Sequence, residues 1–572
     1  MRRGPLKEFL LGVVSLDGAA AAASGAGQNG KTADGQTQMQ QDFFGRAAAA
    51  PDRVVMRMAG RDGADGAAHT AGDVAAQALR MAQWLAMHGL RPGERFAVLL
   101  ENRLEILTLA LAARQAGLYA AILSTHLSPA EMAWIVQDCG ARLLVASHRT
   151  LEQASQALRS SEASSELPCW TVDEATPRAP SLHAALNALA ALNTPPIDLS
   201  DRPLGRDLLY SSGTTGRPKG VLKPLQPASL RGQLDPEALG TQKLMGMDED
   251  TVYLSPAPLY HAAPLRYTLR VLELGGQAVV MDRFDAQHAL QLIERHRVTH
   301  SQWVPTMFNR LLALPPEVRA AHDLSSLRVA IHAAAPCPVP LKQAMLDWWG
   351  DVLIEYYAGS EGCGTTTITS AEWRQRPGSV GRASNGQLHI LDDDGRELPP
   401  GEIGQIYFSG GGTFEYLNDP DKTRQAVNAQ GWCTYGDLGH VDAQGFLFLS
   451  DRRADLILSG GVNLYPQEIE LALARHPAVQ EVAVVGVPDA DFGEVPLAAV
   501  VLAAGHTPDQ DTARAIVAQA AEVLSRMKLP QRMVFVDALP RLETGKLLRR
   551  QLKERWRGQA QAGFALRDHR KP

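Results

Sequence analysis

The chain has 572 residues, 45% of them apolar and 21% charged, which is enough for two or three domains and a sizeable buried core. Its formal net charge of −6 argues against nucleic acid as a main partner, because such binders carry a basic footprint, yet leaves room for small anions held by local positive charge. No uncharged apolar run reaches the roughly 18 residues that a membrane-crossing helix needs.

Residues 1–41 open on Met1-Arg2-Arg3 and a short apolar run, Phe9 to Val14, interrupted by Lys7, Glu8 and Asp17. That run is short for a signal peptide, and the Ala/Gly/Gln stretch after it has no periodicity, so a disordered leader is expected. From Asp42 the pattern becomes globular. Asp73 is expected to cap a helix with Val74, Ala78, Met81 and Leu85 on one face and Gly89 as its stop. Arg95–Leu100 reads as a buried strand, Ile106–Ala116 as a helix ended by Gly117, and Tyr119–Leu123 as the next strand. The rhythm returns with a helix from an Asp285 cap through His296, a strand over Thr299–Val304, and the same theme over Asp323–Ile331. Such alternation predicts an α/β fold whose sheets are largely parallel and covered by helices. Near Asp451–Asp455 it gives way to a Gly-rich turn, a helix opening at Pro466, and short strands over Gln480–Val485 and Ala498–Leu502. The predicted organisation is a large N-terminal domain over 42–451, a small α+β domain over 452–556, and a loose tail over 557–572. The five cysteines, Cys139, Cys169, Cys337, Cys363 and Cys433, form no CxxC pair and join no histidine cluster. Free thiols in a reducing cytosol are therefore expected, with neither a zinc site nor a disulfide framework.

The segment richest in chemistry is Tyr210-Ser211-Ser212-Gly213-Thr214-Thr215-Gly216-Arg217-Pro218-Lys219-Gly220. Its glycines let backbone N–H groups turn inward as an anion nest, its hydroxyls add donors, and Arg217 and Lys219 add charge; a polyphosphate is the natural guest. It is not a Walker A loop, because Pro218 stands where that motif needs Gly-Lys. The segment resembles the phosphate loop of the adenylate-forming superfamily, which includes acyl-CoA synthetases. The resemblance continues in order through Tyr357-Ala358-Gly359-Ser360-Glu361, Tyr435-Gly436-Asp437, Asp451-Arg452, Ser459-Gly460-Gly461 and Pro540 to Lys546. A hydrolase nucleophile elbow at Ser360 would need Gly at 358, where Ala stands.

By that resemblance Ser211 to Gly216 and Lys219 hold the phosphates of ATP, Tyr357 stacks on adenine, and Ser360 contacts the α-phosphate. Glu361 helps hold Mg²⁺, which prefers a carboxylate together with phosphate oxygens. Asp437 takes both ribose hydroxyls, as a carboxylate can. Arg452 reaches the ribose or α-phosphate, and Lys546 bridges the attacking carboxylate and the α-phosphorus. His261 and Ala333 line the acyl pocket, while Ser459, Gly460 and Gly461 meet the pantetheine arm of CoA. Ala454 stands at the hinge where the family usually has Asp or Lys, and Ala358 and Ser360 replace its usual Gly and Thr. The resemblance implies a cytoplasmic acid–CoA ligase acting through an acyl-adenylate, with ATP, a carboxylic acid and CoA as small-molecule substrates; a homodimer stays open. The small residues Ala262, Ala263, Ala333 and Gly362 suit a roomy apolar pocket for a fatty, steroid-side-chain or aromatic acid. Loading of a carrier protein, a luciferase-like oxygenase and a non-catalytic nucleotide binder are the other readings. Intact Glu361, Asp437, Arg452 and Lys546 weigh against the last.

Overall fold

The computed structural model describes residues 41–60, 65–159, 166–191, 196–211, 218–335, 337–452, 455–459, 462–489, 492–524, 526–541, 547–557 and 563–566. They fall into two compact units, one of residues 1–302, 314–330 and 414–420, the other of residues 303–313, 331–413 and 421–572. Residues 1–40 of the expected leader lie outside the described residues.

In the first unit, runs of apolar residues become parallel strands buried on both faces. Arg95–Leu99, Tyr119–Ile122, Leu144–Ala146, Cys169–Thr171 and Arg206–Ser211 pair in parallel. Phe96, Ala97, Val98 and Leu99 are all fully buried, which explains the absence of alternation in this stretch. The antiparallel strands Lys219–Leu222 and Glu415–Tyr416 extend that sheet to seven strands. Val54–Ala59, Val252–Ser255, Gln277–Met281 and His300–Trp303, all of this unit but for Trp303, also pair in parallel. The helix Leu104–Ala116 ends where Gly117 adopts a left-handed φ of 71°, the stop that the sequence signalled. The helix Ala71–Met87 begins three residues before the expected start. Thr70 is its N-cap, accepting from the Asp73 N–H, and Asp73 lies in the first turn. Asp285 caps Ala286–Arg295 as expected, whereas the Asp323–Ile331 stretch yields only the strand Val329–His332.

The second unit is mainly antiparallel, a feature the helix–strand rhythm did not announce. Leu353–Tyr357 pairs with Thr365–Thr369, and that strand pairs with Arg382–Asn385. A four-stranded sheet runs Gln387–Leu391, Gly404–Ser409, Asp437–Val441, Leu447–Arg452. Further along the chain, a long hairpin of Val479–Asp489 and Gly493–Leu502 organises another sheet. Its alternating residues feed two cores. Val484, Ala498 and Val500 pack with Ile469, Leu473 and Ile516, while Val485, Leu497 and Ala499 pack with Leu552 and Trp556. The tail expected to be loose contributes a short edge strand, Phe564–Ala565, against Arg532–Phe535. Among the described residues no helix is long and apolar enough to cross a membrane.

Candidate functional site

In the second unit two sequence motifs converge on one hydrogen bond. Tyr357 ends the strand Leu353–Tyr357, and Asp437 begins the strand Asp437–Val441. The Tyr357 hydroxyl donates to Asp437 Oδ2 at 2.7 Å across 80 residues of chain. Tyr435 meets the Tyr357 ring edge-on, with centroids 5.6 Å apart. Its own hydroxyl donates to the Gly364 carbonyl at 2.8 Å and accepts from the Gly364 N–H at 3.1 Å. Burial pushes the Tyr435 phenol up to about 12, so it stays a neutral donor across the working pH range.

The loop after Tyr357 is tightly packed. Ser360 Oγ donates to Glu361 Oε2 at 3.3 Å. A Cβ on Gly359 would lie 2.4 Å from the Tyr435 ring and 2.6 Å from Glu361 Oε2, so only glycine lets the loop pass. Gly362 turns it at φ 77°. Asp437, nearly buried, stands directly opposite Arg452 in the antiparallel register, which brings together two residues that the sequence predicted for the nucleotide. Glu361 beside the Ser360 hydroxyl is the kind of oxygen donor that a Mg²⁺ ion shares with phosphate oxygens.

The pairing of Cys363 and Cys433 corrects the expectation of five free thiols. They form a disulfide with Cα atoms 5.3 Å apart; Cys139, Cys169 and Cys337 are free. Cys433 bridges Phe408 in the antiparallel sheet, and this packing brings it to Cys363 from 70 residues away. A cysteine count without fold knowledge could not see it. The disulfide lies two residues after Glu361 and two before Tyr435, so it joins the segments that carry both nucleotide motifs.

In the first unit Ser211 and Lys219 are directly opposed, the last pair before the connecting segment of the hairpin Arg206–Ser211/Lys219–Leu222. Ser212, Gly213, Thr214, Thr215 and Gly216 lie outside the described residues. The flanks of the loop are anchored. Tyr210 donates to Asp138 Oδ2 at 2.7 Å, Trp134 Nε1 donates to the Pro218 carbonyl at 3.3 Å, and Lys219 Nζ lies 5.8 Å from the centre of the Tyr416 ring. His261 is the N-cap residue of Ala262–Glu273, half-buried, with its ring 4.7 Å from that of Tyr260. Sequence reasoning missed the residue that shapes this turn. Buried Asn102 accepts from the Leu259 N–H at 2.7 Å and donates to the carbonyls of Ala257 and Met281 at 3.2 and 2.8 Å. Its signal was weak, a single polar residue after an apolar strand.

Ala333, in the second unit, is buried and precedes Ala334, which adopts φ 76°, a left-handed conformation strained for a residue with a Cβ. Ser459 ends the strand Ile457–Ser459 and is paired with Val462, with Gly460 and Gly461 between them in sequence. Those glycines, Ala454 and Lys546 lie outside the described residues. The chain around Lys546 is held at both ends. Arg541 and Leu547 bridge antiparallel, and Arg541 Nε donates to Glu481 at 2.9 Å. Arg549 donates to Glu470 at 2.8 Å and to the Val484 carbonyl at 2.9 Å. Two shallow polar depressions contain none of these site residues; one is lined by Arg103, His148, Asp173 and His183, the other by Asp392, Asp393, Gln405 and Asn428.

A nucleotide-type constellation on this α/β scaffold, followed by a small α+β domain, is the pattern of an AMP-forming ligase. The chain belongs to the AMP-binding enzyme family, whose profile matches residues 43–416, and the AMP-binding enzyme C-terminal domain matches residues 468–546. It is of the adenylate-forming acyl-CoA synthetase type, an AMP-forming acid–thiol ligase. Among its relatives are a 2-succinylbenzoate–CoA ligase from Geobacillus kaustophilus, 32% identical over 82% of this chain and 90% of that one, and a feruloyl-CoA synthase from Amycolatopsis, 32% identical over 86% and 94%. Among solved structures, the o-succinylbenzoate CoA synthetase of Bacillus subtilis, in complex with its acyl-adenylate intermediate, superposes with a TM-score of 0.73. It is 28% identical, over 90% of this chain and 98% of that one.

Proposed function

We propose that this enzyme joins a hydrophobic acid, aromatic acids foremost, to CoA through an acyl-adenylate, releasing pyrophosphate and then AMP. The observation that carries this reading is the Tyr357–Asp437 hydrogen bond opposite Arg452, which unites three residues expected at the nucleoside. The two relatives are named for aromatic acids, which favours that class over fatty or steroid-side-chain acids.

In the first step a carboxylate oxygen attacks the α-phosphorus, the bond to the β-phosphate oxygen breaks, and pyrophosphate leaves. No protein nucleophile is needed, so the chain contributes position and charge. Tyr357 and Asp437 hold the nucleoside, residues 211–219 hold the phosphates, and Lys546 offsets charge between the reactants. Mg²⁺ entering with ATP beside Glu361 would neutralise the departing pyrophosphate. In the second step the CoA thiol, steered by the Ser459–Gly461 segment, attacks the acyl carbonyl, and AMP departs. Rotation about Ala454 would exchange Lys546 for that segment.

Pyrophosphate release from Mg-ATP, measured across acetate, fatty, steroid and aromatic acids with and without CoA, tests the reading. Release confined to aromatic or other hydrophobic acids, followed by thioester, supports it. Release without thioester contradicts the choice of CoA, and preference for acetate contradicts the pocket.

A further inference from the structure

Behind the site in the second unit lies a buried ionic group that the reaction does not use. Lys342, on the helix Val339–Trp349, is fully buried, and its Nζ donates to Glu355 Oε2 at 2.6 Å. The Trp373 ring covers the ammonium at 4.9 Å. Glu355 lies on the strand Leu353–Tyr357, two residues before Tyr357, and therefore on the same face of that strand. The same carboxylate oxygen lies 3.8 Å from His332 Nε2. His332 ends the strand Val329–His332 immediately before Ala333; it is fully buried, packed edge-on against Phe308, and neither ring nitrogen has a hydrogen-bond partner among the described residues.

Stability alone is a poor reason for this arrangement. Removing two charges from water costs about as much as their attraction returns, and apolar residues of equal volume often hold a fold as well or better. A short charge-assisted hydrogen bond does supply direction, because it fixes one atom of the helix against one atom of the strand. The carboxylate stands at the junction of three segments: the helix, the strand leading to Tyr357 and Glu361, and the strand leading to the Ala333–Ala335 turn. That turn holds Ala334 at φ 76°, a conformation that persists only where the surroundings impose it.

We propose that Lys342 and Glu355 are positioning residues for the acid site, an ion pair which, through His332, sets the Ala333–Ala335 wall relative to the strand that carries Tyr357. The proposal rests on the reading that Ala333 borders the acid. Neutral His332 follows from its burial and from the nearby Lys342 charge, so the Glu355–His332 approach is polar packing and not a second ion pair.

The test compares E355Q, K342M and the double variant K342M/E355L in the full-length enzyme. Melting temperature, kcat, and the KM for acid and for ATP would be measured with the best acid found for the wild type. Each single variant strands a buried polar or charged partner and should lower the melting temperature. The double variant removes both charges and should regain it. If the pair positions the wall, the double variant still shows a KM for acid raised about ten-fold, with the KM for ATP within about two-fold of wild type. A double variant that recovers wild-type stability together with a wild-type KM for acid overturns the proposal and leaves a purely structural ion pair. Equal loss in both KM values overturns it too, since that would place the effect at the nucleotide. A wild type inert toward every acid fails the functional reading instead, and is distinguished by its inactivity before any variant is made.

Discussion

At the residue scale the site depends on a few directional contacts. Tyr357→Phe removes a 2.7 Å hydrogen bond and leaves Asp437 with one partner fewer. A bond to a charged group is worth about 1.5–3 kcal/mol, so the KM for ATP should rise roughly ten- to a hundred-fold, with kcat changed less. An unchanged nucleotide KM would remove that contact from the site. Lys546→Ala should slow adenylate formation by about 10²–10³-fold while thioester formation from preformed adenylate persists, as half-reaction kinetics would show. Equal loss in both half-reactions contradicts the assigned role. Tyr357 and Lys546 were open to proposal from sequence because they stand in ordered motifs. Lys342, Glu355, His332 and the Cys363–Cys433 disulfide were not, because each depends on a contact between segments whose spacing in sequence says nothing of their meeting in space. Asn102 was hidden for the same reason: its three partners lie more than 150 residues away.

At the element scale the parallel strands and their helices were readable from apolar runs and from glycine stops. The start of Ala71–Met87 was misplaced because Thr70 and Asp73 both carry cap-forming oxygens three residues apart, and only the hydrogen bond shows which one caps. Thr70→Ala should therefore cost about 1 kcal/mol of stability, measurable by denaturant unfolding, whereas a larger loss from Asp73→Ala would restore the original reading. The four-stranded antiparallel sheet escaped notice because its strands are only partly buried and its turns resemble surface loop. Within that region the loop at Gly359 leaves no room for a side chain. Gly359→Ala puts a methyl group against a Tyr435 ring that two hydrogen bonds to Gly364 hold in place, so the loop must move. Overpacking of this kind costs about 1–3 kcal/mol, and here it should appear as a fall in kcat/KM of about ten-fold or more. Wild-type kinetics would show that the loop has slack.

At the scale of the whole molecule, stability should depend on pH through Glu273. This buried carboxyl accepts from the backbone N–H groups of Phe43 and Asp235, both at 3.2 Å, and burial raises it to about 7 despite nearby Arg114. A carboxyl raised on folding binds more protons in the folded state between the ordinary glutamate value and about 7. Its stabilising contribution is complete below that window and fades as pH rises through it. The loss is on the order of 2–3 kcal/mol. Melting temperature should fall from pH 5 to pH 8 more steeply in wild type than in Glu273→Gln, and parallel profiles would contradict the assignment.

The central claim is that the acid's own carboxylate oxygen attacks the α-phosphorus of ATP. An acid labelled with ¹⁸O in its carboxylate, turned over with Mg-ATP and CoA, tests it most directly by mass spectrometry of the nucleotide and phosphate products. The account predicts one ¹⁸O atom in AMP, an unlabelled pyrophosphate, and the second ¹⁸O retained in the thioester carbonyl. Label in inorganic phosphate with ADP as the nucleotide product, or AMP free of label, would contradict it.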